Sequence, residues 1–461
     1  MYHAGIHLRK YQLILQSVWI VPGAAWLDTT GRLFNAHAGG LTVDHETGRF
    51  YWFGEYKTED RHEGGGVFVY SSTDLATWES HGLALAGHEW IDQSCVIQRP
   101  KVVYNKKTGK YHMFWHADDR PYTRLAQGLA TSDKIAGPYT FVKAFQPLDT
   151  PSQDFGIFTD YKTGKVYALY SSGDAPEGRD VFIGAFNDEL TDVMAFTPCF
   201  SKYDLEAPTI IQTDNSYFAI MSHKTGYRPN NVVAFRASSL SGPWSQPFFI
   251  APPHTRTFST QSSFCFRLHG SKRTSYFYMG DQWDENAIWE SRNVWLPMDI
   301  DEAQKNLTLV WHDVYDLNTE TGEWSPVEGK PFYAKDAKCH GDAFLQEAKF
   351  ASHHIIATGI YGDQHGVTFT VEGEGGDQWV SFHYQTYGQP DRIGGTWQLR
   401  RISSIVVNGD NSKVYRISQM DTHKGILLAT TIKLSLKEGS NTLRIGGLSN
   451  GHDRRGPIWT E

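Results

Sequence analysis

Two acidic residues, Glu206 and Asp154, stand where paired carboxylates could do acid–base chemistry. Glu206 opens the stretch Leu205-Glu-Ala-Pro-Thr-Ile-Ile211, and Asp154 sits in Pro151-Ser-Gln-Asp-Phe-Gly156, each just ahead of an apolar run that reads as a strand. Proline fixes its own backbone angle and biases the residue before it toward an extended conformation. A carboxylate two positions before Pro208 is therefore expected to be held at the mouth of a strand. One carboxylic acid kept protonated, beside a second that stays ionised, is the equipment of general acid catalysis. The plainer reading of Glu206 is a solvated loop residue. The second acid in the same setting favours chemistry, because two such acids one repeat apart can meet at a shared centre.

Elements that would position these acids recur along the chain. Glu46-Thr-Gly-Arg-Phe-Tyr-Trp-Phe-Gly54, Lys107-Thr-Gly-Lys-Tyr-His-Met-Phe-Trp115 and Lys162-Thr-Gly-Lys-Val-Tyr-Ala-Leu-Tyr170 are turn-then-strand units, with looser copies from Thr213 and from Gly270. A Gly- or Asn-bearing turn between alternating apolar runs is a hairpin signature, and five copies at roughly fifty to sixty residues predict the blades of a propeller. Ser72-Thr-Asp-Leu-Ala-Thr-Trp78, Ser132 to Tyr139 and Ser238 to Trp244 read as outer turns, each ending on an aromatic. The innermost strand of every blade then delivers side chains into one funnel.

The expected fold is all-β, a five-bladed β-propeller over residues 20–305, a connector over 306–332, and a β-sandwich over 333–461. Composition agrees: 14% of the 461 residues are aromatic and 43 are Gly, a mix that favours pleated strands and tight turns. A net charge of -8 argues against a nucleic-acid partner, which needs a basic stripe. No apolar run approaches the roughly 20 residues of a membrane helix. The four cysteines lack metal-ligand spacing, so no catalytic metal is expected, while one or two disulfides stay open. Residues 11–22 make a poor signal peptide, because glutamines interrupt the apolar core.

A funnel with several carboxylates and aromatic walls suits a sugar, whose apolar face packs on Trp or Tyr. Trp52, Tyr51, Trp115, Tyr122, Trp283 and Trp295 are the candidate walls, with a core role the commoner fate for each.

The segments Asn35-Ala-His-Ala-Gly-Gly40, Gln98-Arg-Pro-Lys-Val102, Gln153-Asp-Phe155, Leu205-Glu-Ala-Pro208, Thr260-Gln-Ser-Ser263 and Ser291-Arg-Asn-Val-Trp-Leu-Pro297 together resemble glycoside hydrolase family 43, more narrowly its exo-β-1,3-galactanase branch. Residues 333–461 resemble a family-35 carbohydrate-binding module. The resemblance implies a secreted, monomeric, inverting enzyme that releases galactose from β-1,3-galactan, the backbone of type II arabinogalactan. It assigns Glu206 as general acid, Asp154 as the acid that holds up its neighbour's pKa, and Gln261 as the amide that positions water or accepts a proton in its imidic form. A Glu206–Gln261 separation of roughly 6.5–9.5 Å would leave room for that water. Glu55, Gln98, Tyr122, Thr225, Asn230 and His37 are expected to line the sugar subsite, and Asp391, Arg392 and Trp397 the sugar-facing loop of the module.

Three departures qualify this reading. His37 stands where most of the family carry an Asp base; it serves either as a base near pH 6.5 or, the preferred reading, as a structural histidine. Gln98 stands where the branch carries Glu, and an amide can bond a hydroxyl but cannot act as an ionised base. The module opens on Tyr333-Ala-Lys-Asp336 without the acidic pair that helps bind a structural calcium, and it is expected to lack its last strand. The competing functions are a sugar-binding propeller without catalysis, and an arabinofuranosidase or xylosidase of the same family. The second would need the absent first-blade Asp.

Overall fold

The computed structural model describes residues 5–9, 17–59, 64–86, 95–285, 287–360, 362, 364–386, 401–420, 422 and 426–447. Five antiparallel four-stranded sheets follow one another in chain order. Their innermost strands are His37–Val43, Cys95–Asn105, Gln153–Thr159, Leu205–Gln212 and Gln261–His269. Each innermost strand packs beside that of the next blade, and the fifth returns to the first, which closes the ring.

The inner hairpins of the first three blades repeat one local device. Asp44, Asn105 and Asp160 each accept from the backbone N–H two residues on, at 3.2, 2.8 and 2.9 Å. The chain then closes through Gly48, Gly109 and Gly164 at φ of 70°, 69° and 71°, a left-handed conformation that glycine adopts without cost. This is the Thr-Gly turn read from the sequence. The closure between blades one and five is aromatic: Trp52 and Trp295, both buried, pack with centroids 4.7 Å apart and rings tilted by 34°, and Trp26 meets each edge-on. Such pairs add roughly 0.5–1.5 kcal/mol beyond their burial. Trp52, Trp115 and Trp295 are therefore core rather than funnel wall.

The stretch 306–332 differs from a connector. Asn306–Leu309 is the outermost strand of blade five, and Tyr315–Asn318 pairs with both Ser17–Ile20 and Trp324–Pro326 in a small sheet of its own. Beyond it lies a seven-stranded sheet with a separate core of Val367, Val371, Val380, Leu434, Leu443 and neighbours. Its two long strands, Gly366–Tyr384 and Leu428–Gly447, pair along nearly their full length. The ladder runs on through 375–376 and 437–440, where Gly375, Gly376 and Gly439 are at positive φ.

The N-terminal strand Gly5–Arg9 inserts between Lys330–Tyr333 and Gly366–Tyr384, antiparallel to both. A strand with both neighbours occupied presents no open edge. Cys265 and Cys339 are free thiols.

Candidate active site

All five inner strands break register at the same level, between His37 and Gly40, Gln98 and Lys101, Gln153 and Gly156, Glu206 and Thr209, and Ser262 and Phe264. The bulges put Ala38, Arg99, Asp154 and Ala207 at φ of 45°, 54°, 48° and 57°, values rarely tolerated by residues with a Cβ and concentrated at functional sites. Ala207 thus departs from the extended conformation that Pro208 was expected to impose. A bulge turns a strand and re-aims its side chains, so what holds Glu206 is the bulge. At Gly156 a Cβ would fall 2.3 Å from the Pro208 carbonyl; the absence of one lets blades three and four approach beside the two acids.

The re-aimed residues meet in a cavity of about 420 Å³ that Glu55, Gln98, Tyr122, Asp154, Glu206 and Gln261 all line, together with Arg99, His116, Arg179 and Trp283. Arg179 Nη1 lies 2.7 Å from Asp154 Oδ2 and 3.1 Å from Glu206 Oε2, so the two carboxyl groups share one cation. Arg99 Nε approaches the other Asp154 oxygen at 3.1 Å. Burial opposes the Asp154 charge, but the two guanidiniums outweigh it and hold its pKa below the ordinary range. Glu206 goes the other way, to about 8, first through burial and then through the negative charge of Asp154, with Arg179 and Arg99 pulling in the opposite sense. The pair is split into one ionised and one protonated carboxyl near neutrality.

Gln261 occupies a different place from the one expected. Its Nε2 donates to Glu206 Oε1 at 2.7 Å and to Ser222 Oγ at 3.2 Å, so no water fits between Glu206 and this amide. Its Oε1 accepts from Arg99 Nη2 at 2.7 Å and from Trp283 Nε1 at 2.8 Å. Both of those partners can only donate, which fixes the amide orientation. It also disfavours the imidic tautomer, whose O–H would face two donors. Gln261 here positions the acid.

His37 is fully buried, is not among the residues lining the cavity, and has its pKa pushed down to about 3 by burial and then by Lys57. It is neutral at any working pH and too weak a base for the role weighed above. Thr225 and Asn230 hold a turn, through Thr225 Oγ1 to the Arg228 carbonyl at 2.5 Å and Asn231 N–H to Asn230 Oδ1 at 2.8 Å; the intervening Gly226 and Tyr227 reach the cavity instead. Glu55 lines it, but Oε1 accepts the Arg99 N–H at 2.9 Å and Oε2 lies 2.6 Å from Lys57 Nζ. Gln98 donates to Tyr122 at 3.1 Å and meets His116 at 3.0 Å, which in turn meets the buried Asp118 at 3.0 Å. Asp391, Arg392 and Trp397 lie outside the described residues. No group of three or more His, Cys, Asp or Glu with metal-site geometry occurs among the described residues.

The residues missed from the sequence are the cations Arg99 and Arg179 and the buried pair His116 and Asp118 behind Gln98. Arg99 stood inside a quoted motif, between Gln98 and Pro100, where a buried cation beside paired acids was the available signal. Arg179 sits just before a blade-three strand, and nothing local marks it.

Residues 42–271 match the model of glycosyl hydrolases family 43. An exo-β-1,3-galactanase from Phanerochaete chrysosporium, solved as a Glu-to-Gln variant with β-1,3-galactotriose, is 32% identical, with 94% of this chain and 97% of that one covered and a TM-score of 0.84. The same protein with galactose superposes at 0.83, again at 32% identity over 94% and 97%. A putative exo-β-1,3-galactanase from Bifidobacterium bifidum is 28% identical over 64% of this chain and 97% of its own, at 0.59. No curated protein sequence matches the chain.

Proposed function

The chain belongs to glycosyl hydrolase family 43, and from that premise we propose that it is an exo-acting β-1,3-galactanase. It would remove galactose from the non-reducing end of β-1,3-galactan with inversion, and Glu206 would protonate the departing glycosidic oxygen. The observation that carries the reading is the split carboxyl pair at the propeller axis. Glu206 is buried and protonated near neutrality, beside an Asp154 kept ionised by two arginines. A general acid must hold its proton at the working pH and lose it only to a stronger developing base, and this arrangement meets that condition. The similarity to galactanases solved with galactose and galactotriose supports the choice of sugar.

The other half of the reaction falls to the remaining polar wall. Gln261 is engaged with Glu206, and Glu55 is tied to Lys57 and the Arg99 N–H; the Gln98 amide, held between Tyr122 and His116, keeps a second N–H and a second lone pair with which to orient an incoming water. A transition state of oxocarbenium character asks less of the base than of the acid. Such a water can lose its proton to solvent after the new C–O bond has begun to form.

We further propose that the C-terminal unit is a β-sandwich carbohydrate-binding module that keeps the enzyme on its polymer, and that the protein acts outside the cell, where such polymers lie. The test is incubation of the full chain with linear β-1,3-galactan. Free galactose as the sole early product is expected. Oligosaccharides appearing first would overturn the exo assignment, and tight galactan binding with no product would make the propeller a lectin.

A further inference from the structure

Two buried groups stand behind Gln98. His116, on the strand Lys110–Asp119, is 1% exposed, and Asp118 is fully buried. Asp118 Oδ1 accepts the backbone N–H groups of Asp119 and Arg124, both at 2.9 Å. Its Oδ2 accepts that of Leu125 at 3.2 Å and faces His116 Nε2 at 3.0 Å. Burial opposes the Asp118 charge, but His116 and the backbone donors outweigh it and hold its pKa below the usual carboxylate range. An ionised carboxylate can only accept. The bond to it therefore fixes a proton on Nε2 of the imidazole.

The other ring nitrogen decides how Gln98 is held. Gln98 Oε1 lies 3.0 Å from His116 Nδ1, and its Nε2 donates to the Tyr122 hydroxyl at 3.1 Å. Nδ1 can bond that carbonyl only when it carries a proton of its own, which makes the ring a cation. A neutral ring, with its proton kept on Nε2, presents a lone pair at Nδ1 instead. It bonds Gln98 only if the amide is turned over, its N–H groups on the ring and its carbonyl toward Tyr122, whose hydroxyl serves as donor or acceptor. Gln98, His116 and Tyr122 all line the funnel, so this turn changes what an incoming water meets. An N–H group ties up the lone pair with which the water must attack. A carbonyl oxygen takes the water's O–H and leaves that lone pair free.

We propose that His116 and Asp118 are positioning residues for the hydrolytic water. By keeping the ring proton on Nε2 and Nδ1 bare, they turn the Gln98 carbonyl into the funnel, and that is the working arrangement. The orientation with Oε1 on the ring is then the idle one, a single proton away. This rests on the reading of Gln98 as the group that orients the water. A carboxylate at position 98 would accept at either end and need no such control, whereas an amide has one acceptor end and must be held the right way round. Asp118 touches no substrate in this scheme and acts only through the ring.

The experiment compares galactose release from β-1,3-galactotriose by the full-length parent, Gln98→Ala, Asp118→Asn, Gln98→Glu and the combined Gln98→Glu, Asp118→Asn variant. Asparagine at position 118 offers Nε2 an N–H donor, which moves the ring proton to Nδ1 and turns the Gln98 carbonyl away. In Asp118→Asn, kcat should fall by about tenfold or more with KM little changed. With an ionised glutamate at position 98, the same change should cost less than about twofold, because both carboxylate oxygens accept. Losses of equal size in both backgrounds would mark a merely structural Asp118 and overturn the proposal, as would Asp118→Asn at the parental rate. A parent that releases no galactose, or Gln98→Ala at the parental rate, removes the underlying reading and this proposal with it. A slowed Gln98→Ala beside an unaffected Asp118→Asn sinks this proposal alone. Where Asp118→Asn does not fold or Gln98→Glu does not turn over, NMR of the galactose-bound parent with isotope-labelled histidine decides, His116 being assigned by its loss in His116→Gln. A single ring proton on Nε2 is expected, and a proton on Nδ1 overturns the assignment.

Discussion

Replacing Asp154 by Asn removes one negative charge and little volume, and the consequence can be worked from the geometry. One Asp154 oxygen and one Glu206 oxygen lie 2.7 and 3.1 Å from the same Arg179 nitrogen, so the two oxygens are no more than 5.8 Å apart. At an effective dielectric constant of about 20, unit charges at that spacing repel by about 3 kcal/mol. That corresponds to roughly two pKa units. The sign follows from the loss of a like charge: ionisation of Glu206 becomes easier, and its pKa falls from about 8 toward roughly 6. The acid works only when protonated, so the alkaline limb of kcat/KM should move down by about two units. At pH 7 the protonated fraction would drop from about nine-tenths to about one-tenth, close to a tenfold loss from protonation state alone. The assay is galactose release from β-1,3-galactotriose across pH 4–10 for parent and variant. An Asp154→Asn enzyme that loses activity uniformly, with its alkaline limb unmoved, would refute this coupling.

Other substitutions separate the remaining roles. Glu206→Gln should retain galactose affinity by calorimetry while turnover falls by roughly 10²–10⁴, the usual scale for a general acid. Arg99→Met strands a buried Asp154 oxygen and the Gln261 carbonyl, and chemical denaturation should show a loss of about 3–5 kcal/mol. Gln98→Glu places an ionisable group between His116 and Tyr122, and should add an acidic limb to the pH–rate profile with a midpoint near an ordinary Glu pKa of about 4.3; a profile identical to the parent's would remove Gln98 from the water-orienting wall. His37→Ala should lower the melting temperature and leave the shape of the pH–rate profile unchanged, because a histidine with a pKa of about 3 does not titrate in the working range.

Much of the fold was legible because propeller blades advertise themselves locally. The Thr-Gly turns at Gly48, Gly109 and Gly164 carry their conformation in four residues, and Glu206, Asp154, Gln98 and Gln261 stand in the inner strands that the turns announce. What escaped was long-range. The Gly5–Arg9 strand is too short and irregular in sequence to declare itself, and its partners lie more than three hundred residues away. The contact between Gln261 and Glu206 depends on bulges that no local pattern encodes, at residues such as Ala207 where a proline points to the opposite backbone. Arg179 is invisible for a related reason. A cation that serves two acids on neighbouring blades has no signature in its own segment.

General acid catalysis by Glu206 requires that it hold a proton at neutral pH, and infrared difference spectroscopy reads that proton directly. The spectrum of the parent minus that of Glu206→Gln isolates this one carboxyl group. A protonated carbonyl stretch should be present at pH 6, persist through pH 7 and be replaced by carboxylate bands around pH 8. Carboxylate bands already present at pH 6 would mean that Glu206 is ionised under working conditions, and the general-acid assignment would fall.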